Sequence, residues 1–238
     1  DTATGAKQAL AGEFPTGTSV GPANWSPDGS RVAFITRTMP DWDGDRQRNN
    51  TPPGEGLPNL GSINVREALG LVRPEDNPLV TGTALHVFDT ASGARVKRID
   101  NRDVPQGLLA GLDFAPAGGR SLLTIALRSE LEGRAQPTYD FPSGLERQVL
   151  DAAFNLERKI EGDGFDSLSS DAHWVDADTL IVERPSGVHR AFVSVDAGSG
   201  AQAVWWDQPG TAYQSFVRPF GAALLFTSVD APPELIAW

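Results

Sequence analysis

The sequence predicts an all-β fold, a β-propeller of four-stranded antiparallel blades, from three observations: two turn motifs recur, they alternate along the chain, and they keep step. The first motif is Trp25-Ser26-Pro27-Asp28-Gly29, leading into the apolar strand Arg31-Val32-Ala33-Phe34-Ile35-Thr36-Arg37. Its residues suit a tight turn because Pro27 presets φ at about −65°, Asp28 can bond its own backbone and Gly29 accepts positive φ. The motif returns as Phe114-Ala115-Pro116-Ala117-Gly118-Gly119-Arg120, as Trp174-Val175-Asp176-Ala177-Asp178 and as Val217-Arg218-Pro219-Phe220-Gly221. Proline, aspartate and glycine are lost in one copy or another, while a strand follows each time. The second motif is Asp, three residues, then Gly, beginning at Asp1, Asp89, Asp140 and Asp196. From it to the next copy of the first motif the steps are 24, 25, 34 and 21 residues. Alternating hairpins in phase build a four-stranded sheet that cannot bury both faces alone, which is the logic of a propeller blade. About four such blades fit in the chain.

Taken in order, residues 1–13 read as the last strand of a blade whose other strands precede them. Gly17-Thr18-Ser19-Val20-Gly21 has the G-x-S-x-G spacing of a nucleophile elbow, but Pro22 and the Trp25 hairpin follow where that elbow needs a helix, so the match is fortuitous. The first full blade starts at Trp25. A segment rich in Asp, Gly, Pro and Asn at 38–78 interrupts the repeat, and a loop of that length is a candidate for reaching a ligand or a neighbouring domain. Within it Asp41, Asp43 and Asp45 alternate as calcium ligands would. Arg46 and Pro52 stand where a calcium loop needs glycine and glutamate, so the segment reads as a solvated acidic turn. Arg46 and Arg48 could meet a substrate carboxylate or simply face water, and 62–72 reads as a short helix.

A second blade is expected from Val80 to Ile99, and a third opens at Gly111. For 144–160 two readings stand side by side. Ser143-Gly144-Leu145-Glu146 fits a capping box, and Leu145, Val149, Ala152, Leu156 and Ile160 follow at helical spacing, which gives an inserted helix. Alternatively 145–150 is the blade's last strand. The acidic run Glu161, Asp163, Asp166 reads as an exposed connector. A further blade spans 172–206, and the last begins near Tyr213 and closes with Pro232-Pro233-Glu234-Leu235-Ile236-Ala237-Trp238 as a third strand. The domain is expected to cover 1–238 and to be cut at both ends.

The 25 Gly and 18 Pro suit a turn-rich chain of short strands. Twenty basic residues against 31 acidic ones leave a net charge of −11, which repels a phosphate backbone or an anionic membrane, so no nucleic-acid partner is expected. No run is long enough to span a membrane. The absence of cysteine excludes disulfides, thiolate metal sites and a cysteine nucleophile, and is compatible with either a cytoplasmic or an exported protein. Self-association into a homo-oligomer is compatible with the sequence as well.

Catalytic signatures are sparse. His86, His173 and His189 are the only histidines and none has a paired metal spacing. His86 and His189 fall on strands, where a hydrogen-bonded structural role is expected. Glu183-Arg184 fits a substrate clamp and equally an ordinary surface ion pair. The tryptophans Trp25, Trp174 and Trp238 recur at repeat positions, so packing between blades accounts for them better than ligand stacking. No catalytic, metal-binding or cofactor-binding residue is assigned.

The stretch Trp25-Ser26-Pro27-Asp28-Gly29 with Val32-Ala33-Phe34 resembles the propeller repeat shared by TolB and by the prolyl oligopeptidase family of serine peptidases. Residues 225–238, with Pro232, Glu234 and Leu235 in a P-x-E-L strand, are similar to the final propeller blade of that peptidase family, and 187–196 to its penultimate blades. This resemblance implies a propeller of seven or eight blades. It also implies an α/β-hydrolase domain with a Ser-Asp-His triad after residue 238 as partner, and a peptide substrate to which the propeller controls access. No catalytic residue carries over to the chain. The alternative, resting on the same repeat, is a non-enzymatic TolB-like propeller serving as a protein-interaction platform.

Overall fold

A computed structural model describes the chain at residues 10, 14–15, 18–38, 81–104, 107–117, 119–127, 144–160, 172–186, 189–207, 211–218, 221–228 and 231–237. For 184–186, 189–190 and everything from 211 onward the description covers the backbone alone. Among these residues the strands form four antiparallel sheets, each a meander in chain order.

In the first sheet the opening strand comes in two pieces, β1 (Thr18–Val20) and β2 (Asn24–Trp25), both paired with β3 (Arg31–Thr38). Next come β4 (Thr83–Asp89) and β5 (Arg95–Asp100). Two blades were expected here, one from Trp25 and one from Val80 to Ile99, and the structure makes them one. β3 pairs with β4 from Arg31 opposite Asp89 to Arg37 opposite Thr83, so the long insertion separates the second and third strands of a single sheet. The reason lies in β3 itself. Val32, Ala33 and Phe34 are all buried, a run that suits an inner strand hydrogen-bonded along both edges.

The second sheet contains β6 (Gly107–Phe114), β7 (Ser121–Leu127), β8 (Gly144–Leu150) and β9 (Leu156–Ile160). The inserted helix near 144–160 is thereby corrected to a hairpin, and the 145–150 strand is the third of its sheet, not the last. Leu156 is 54% exposed and Ala152 is exposed, so the helical spacing traces no buried face. Asp151 makes the turn instead, its Oδ1 accepting the amides of Ala153 and Asn155 at 2.9 and 2.8 Å. Phe154 takes φ 60° there.

The third sheet runs β10 (Ala172–Trp174), β11 (Thr179–Ser186), β12 (His189–Asp196), β13 (Gln202–Asp207). The fourth has three strands, β14 (Thr211–Arg218), β15 (Gly221–Ser228) and β16 (Ala231–Ala237). The tryptophan, phenylalanine or valine turn joins first to second strands in every sheet, whereas the Asp-to-Gly turn joins third to fourth only in the first and third sheets. In the second sheet Asp151 makes that turn, and Asp140, expected to begin it, precedes the third strand. At Asp89, Oδ1 accepts the amide and hydroxyl of Ser92, both at 2.8 Å, and Asp196 holds Ser199 likewise at 2.6 Å. Gly93 and Gly200 supply the positive φ that closes each turn.

The chain forms two compact units, one with the first sheet and the other with most of the second sheet and the third and fourth. The core of the first unit stacks Val32, Phe34 and Phe88, with Leu10 and Phe14 packed against them. In the second unit Leu122, Val149 and Ile160 of one sheet meet Trp174, Leu180, Val182, Val193 and Val195 of the next. Each described fourth strand is interrupted by a β-bulge: Val96, Glu157 and Trp205 are the extra residues, skipped by the pairing in β5, β9 and β13.

Candidate functional site

In the second unit the first strands of successive sheets come together. Trp174 Nε1 on β10 donates to the main-chain carbonyl of Asp113 on β6 at 3.3 Å, and β10 in turn runs close to β14. Fourth strands are the exposed ones: all four residues of β9 before Ile160 are open or partly open, and β13 has no buried residue. First strands therefore make the inner margin of this unit, and chemistry placed on them faces the region the sheets surround.

Two ionisable residues, Asp113 and His173, lie there, and a third, Arg147 of a third strand, is within electrostatic reach of Asp113. Asp113 sits next to the end of β6, His173 in the middle of β10, and Arg147 on β8, on the same face as Val149 and Ile160 because it is opposite Ile160 in the ladder. Asp113 is solvent accessible yet crowded, and burial raises its carboxyl above the ordinary range, opposed by the charges of His173 and Arg147. Arg147 is only 4% exposed. The carboxyl and the imidazole on neighbouring first strands offer hydrogen-bond acceptors and donors, while the buried guanidinium acts on the carboxyl through its charge.

None of the three was assigned from the sequence, although the repeat carried the signal. The residue just before the turn aromatic is Asn24, Asp113 and His173 in the first three sheets, a polar position on an otherwise apolar pattern. The other candidates fall as follows. Ser19 of the G-x-S-x-G stretch lies in β1 and donates to the Arg37 carbonyl at 3.1 Å, a strand-edge role. His86 is 3% exposed and stacks among Phe14, Phe34 and Phe88, as a structural histidine should. Glu183 is buried inside β11, so the surface ion pair expected with Arg184 does not describe it. Trp174, 6% exposed, packs between sheets. His189 and Arg184 side chains, the acidic turn at 41–45, Arg46, Arg48, the 62–72 helix, the acidic connector, Asp1, Asp140 and Trp238 lie outside what is described. Among the described residues no three His, Cys, Asp or Glu side chains stand close enough to hold a metal ion.

A second cluster ties two sheets at their turn end. Arg120 donates to both carboxylate oxygens of Glu157 at 2.8 and 2.6 Å and also bonds Asp178 in the first turn of the third sheet. Arg158 places two donors, at 3.0 and 2.8 Å, on the Gly198 carbonyl of the third sheet's second turn. This is a seam that holds structure.

Comparison with solved structures decides the architecture. An oligogalacturonate lyase in complex with manganese matches 95% of this chain and 52% of its own, with TM-score 0.54 and 12% identity. The acylaminoacyl peptidase of Pyrococcus horikoshii matches over 92% of this chain and 30% of its own, with TM-score 0.52 and 11% identity. TolB from Acinetobacter baumannii matches over 92% and 40%, with TM-score 0.45 and 13% identity. The sheets are β-propeller blades. At these identities the likeness is one of fold, and the chain spans about half the length of the lyase and under a third of the peptidase. No family model and no curated protein sequence matches the chain.

Proposed function

We propose that this chain is the non-catalytic propeller portion of a prolyl oligopeptidase-type serine peptidase, controlling access and contributing to recognition of a peptide that a separate α/β-hydrolase domain cleaves. The observation that carries the reading is the P-x-E-L segment, similar to a strand of that family's final blade, which here forms β16, the third strand of the last sheet. The fold match to an acylaminoacyl peptidase more than three times the length it shares with this chain supports it. In this reading Asp113 and His173 meet the peptide from the inner margin, while the acyl transfer itself belongs to the hydrolase's serine.

The coding sequence beyond Trp238 and a fluorophosphonate probe test this together. A G-x-S-x-G after a strand, then Asp and His, with label on the hydrolase portion and none on residues 1–238, is the expected result. A stop codon after Trp238 and no labelled associated chain would leave the interaction-platform reading in its place.

A further inference from the structure

We propose that the Asp28-Gly29 bond is a modification site, where spontaneous isoaspartate formation lengthens the backbone in the first turn of the first sheet and detaches that turn from the next. An Asp-Gly pair in a sequence is only an opportunity. The reaction also needs a carboxyl carbon that the glycine nitrogen can approach, and room for a ring to close on it. Asp28 and Gly29 are both exposed, in the turn between β2 and β3, and the Ser26 hydroxyl donates to Asp28 Oδ1 at 2.6 Å, which draws electron density from Cγ. Gly29 adds the freedom of a residue without a side chain.

The other turns of the chain supply the control. Gly119 and Gly200 share the positive φ of Gly29, but a Cβ at Gly119 would lie 3.1 Å from the Ala152 Cβ and one at Gly200 3.0 Å from Arg158 Nη1. At Gly29 it meets nothing within 4 Å, so a ring has space there. Asp89, Asp151, Asp176 and Asp196 also make turns, but Thr90, Ala152, Ala177 and Ala197 follow them, each with a side chain that shields its nitrogen. Among the described residues Asp28 is the one aspartate that precedes glycine. Asp43-Gly44 and Asp163-Gly164 lie outside the described residues.

In the first step the Gly29 nitrogen bonds to Asp28 Cγ, and the carboxyl hydroxyl leaves with the amide proton as water. Solvent water then opens the cyclic imide. Attack at Cγ restores aspartate, whereas attack at the main-chain carbonyl breaks its bond to nitrogen and leaves the chain running through Cβ and Cγ. The product has the same composition and one more backbone carbon. That carbon matters because Thr90 of the next turn holds this one, its Oγ1 donating to the Gly29 carbonyl at 2.6 Å and its amide to the Ser30 carbonyl at 3.0 Å. A longer link ahead of Gly29 shifts both carbonyls away from Thr90. This holds whatever the propeller binds.

The purified chain is incubated at neutral pH in native buffer and in urea, and isoaspartate in the peptide containing Asp28 is read by methylation with an isoaspartyl methyltransferase and by fragmentation mass spectrometry. The expected rate in the folded chain is within about tenfold of that in urea, as for a turn that opens locally at little cost. In the isomerised fraction the Thr90 amide should lose its protection from hydrogen exchange, while Asp28→Glu, incubated alongside, keeps it. A folded rate below that limit, or isoaspartate confined to the other Asp-Gly pairs, overturns the site. Unchanged Thr90 protection in the isomerised fraction overturns the detachment.

Discussion

Arg120 grips Glu157 with two parallel hydrogen bonds, and the grip depends on a bulge. Glu157 is the extra residue of β9, and the local twist a bulge imposes turns its carboxylate toward the start of β7. Arg120 then has a nitrogen left for Asp178. Replacing Arg120 with alanine removes both links at once. Because the cluster is partly solvated, the expected loss is about 1 kcal/mol in urea denaturation, with Arg120→Lys recovering less than half since an ammonium cannot make the fork.

His86 makes stability depend on pH. Arg95 Nη1 donates to its Nδ1 at 3.5 Å, so Nε2 carries the proton and meets Thr36 Oγ1 at 2.9 Å, while the Thr36 hydroxyl turns to the Ala84 carbonyl. This network holds the neutral ring. Burial first, then Arg95 and Arg98, with Asp100 opposing them, lower its pKa from 6.5 to about 4. A base with a depressed folded pKa binds its proton more readily when unfolded. Its contribution is therefore complete above 6.5 and is lost as pH falls toward 4. Unfolding measured across that window should show a slope of at most one proton, about 1.4 kcal/mol per pH unit. His86→Phe, which keeps the aromatic stack, should remove that part of the slope.

At Phe154 two effects compete. Its φ of 60° costs a non-glycine residue about 1 kcal/mol, which Phe154→Gly would relieve. The ring is 8% exposed and packs edge-on against Phe114, and losing such a side chain costs about 3 kcal/mol or more. Packing wins, so thermal melting of Phe154→Gly should show a net loss of roughly 2 kcal/mol.

Gly29 and Gly200 separate conformation from space. Both have positive φ, 71° and 75°, but a Cβ at Gly29 meets nothing within 4 Å, while one at Gly200 comes within 3.0 Å of Arg158 Nη1 and 3.2 Å of its Cδ. Gly29→Ala should cost about 1 kcal/mol of conformational strain alone. Gly200→Ala should cost more, because it also pushes Arg158 off the Gly198 carbonyl. Equal losses for the two would show that Arg158 moves aside freely.

The turns were legible because their chemistry is local. Asp89 and Asp196 each carry the serine three residues on and the glycine after it, and these are the residues that form the turn. The second sheet escaped the pattern because its turn at Asp151 has no glycine. Phe154 takes the left-handed position there, and Asp140, chosen by spacing, lies elsewhere in the chain. Pairing across 39–80 was also hidden, since hydrogen bonds between β3 and β4 leave no trace in spacing once a long segment intervenes. At the inner margin, Asp113 and His173 occupy one repeat position with unlike side chains, and Arg147 comes from a different strand. Only the packing of one sheet on the next brings such residues together.

The bulges at Val96, Glu157 and Trp205 have a bearing on how the protein behaves in a crowded solution. A fourth strand with an even ladder of free amides and carbonyls would be a template on which neighbouring molecules could stack strand by strand. A skipped residue in each breaks the straight run that such growth needs. One of these irregularities brings the Glu157 carboxylate to Arg120, and all three keep the fourth strands from recruiting one another into fibres.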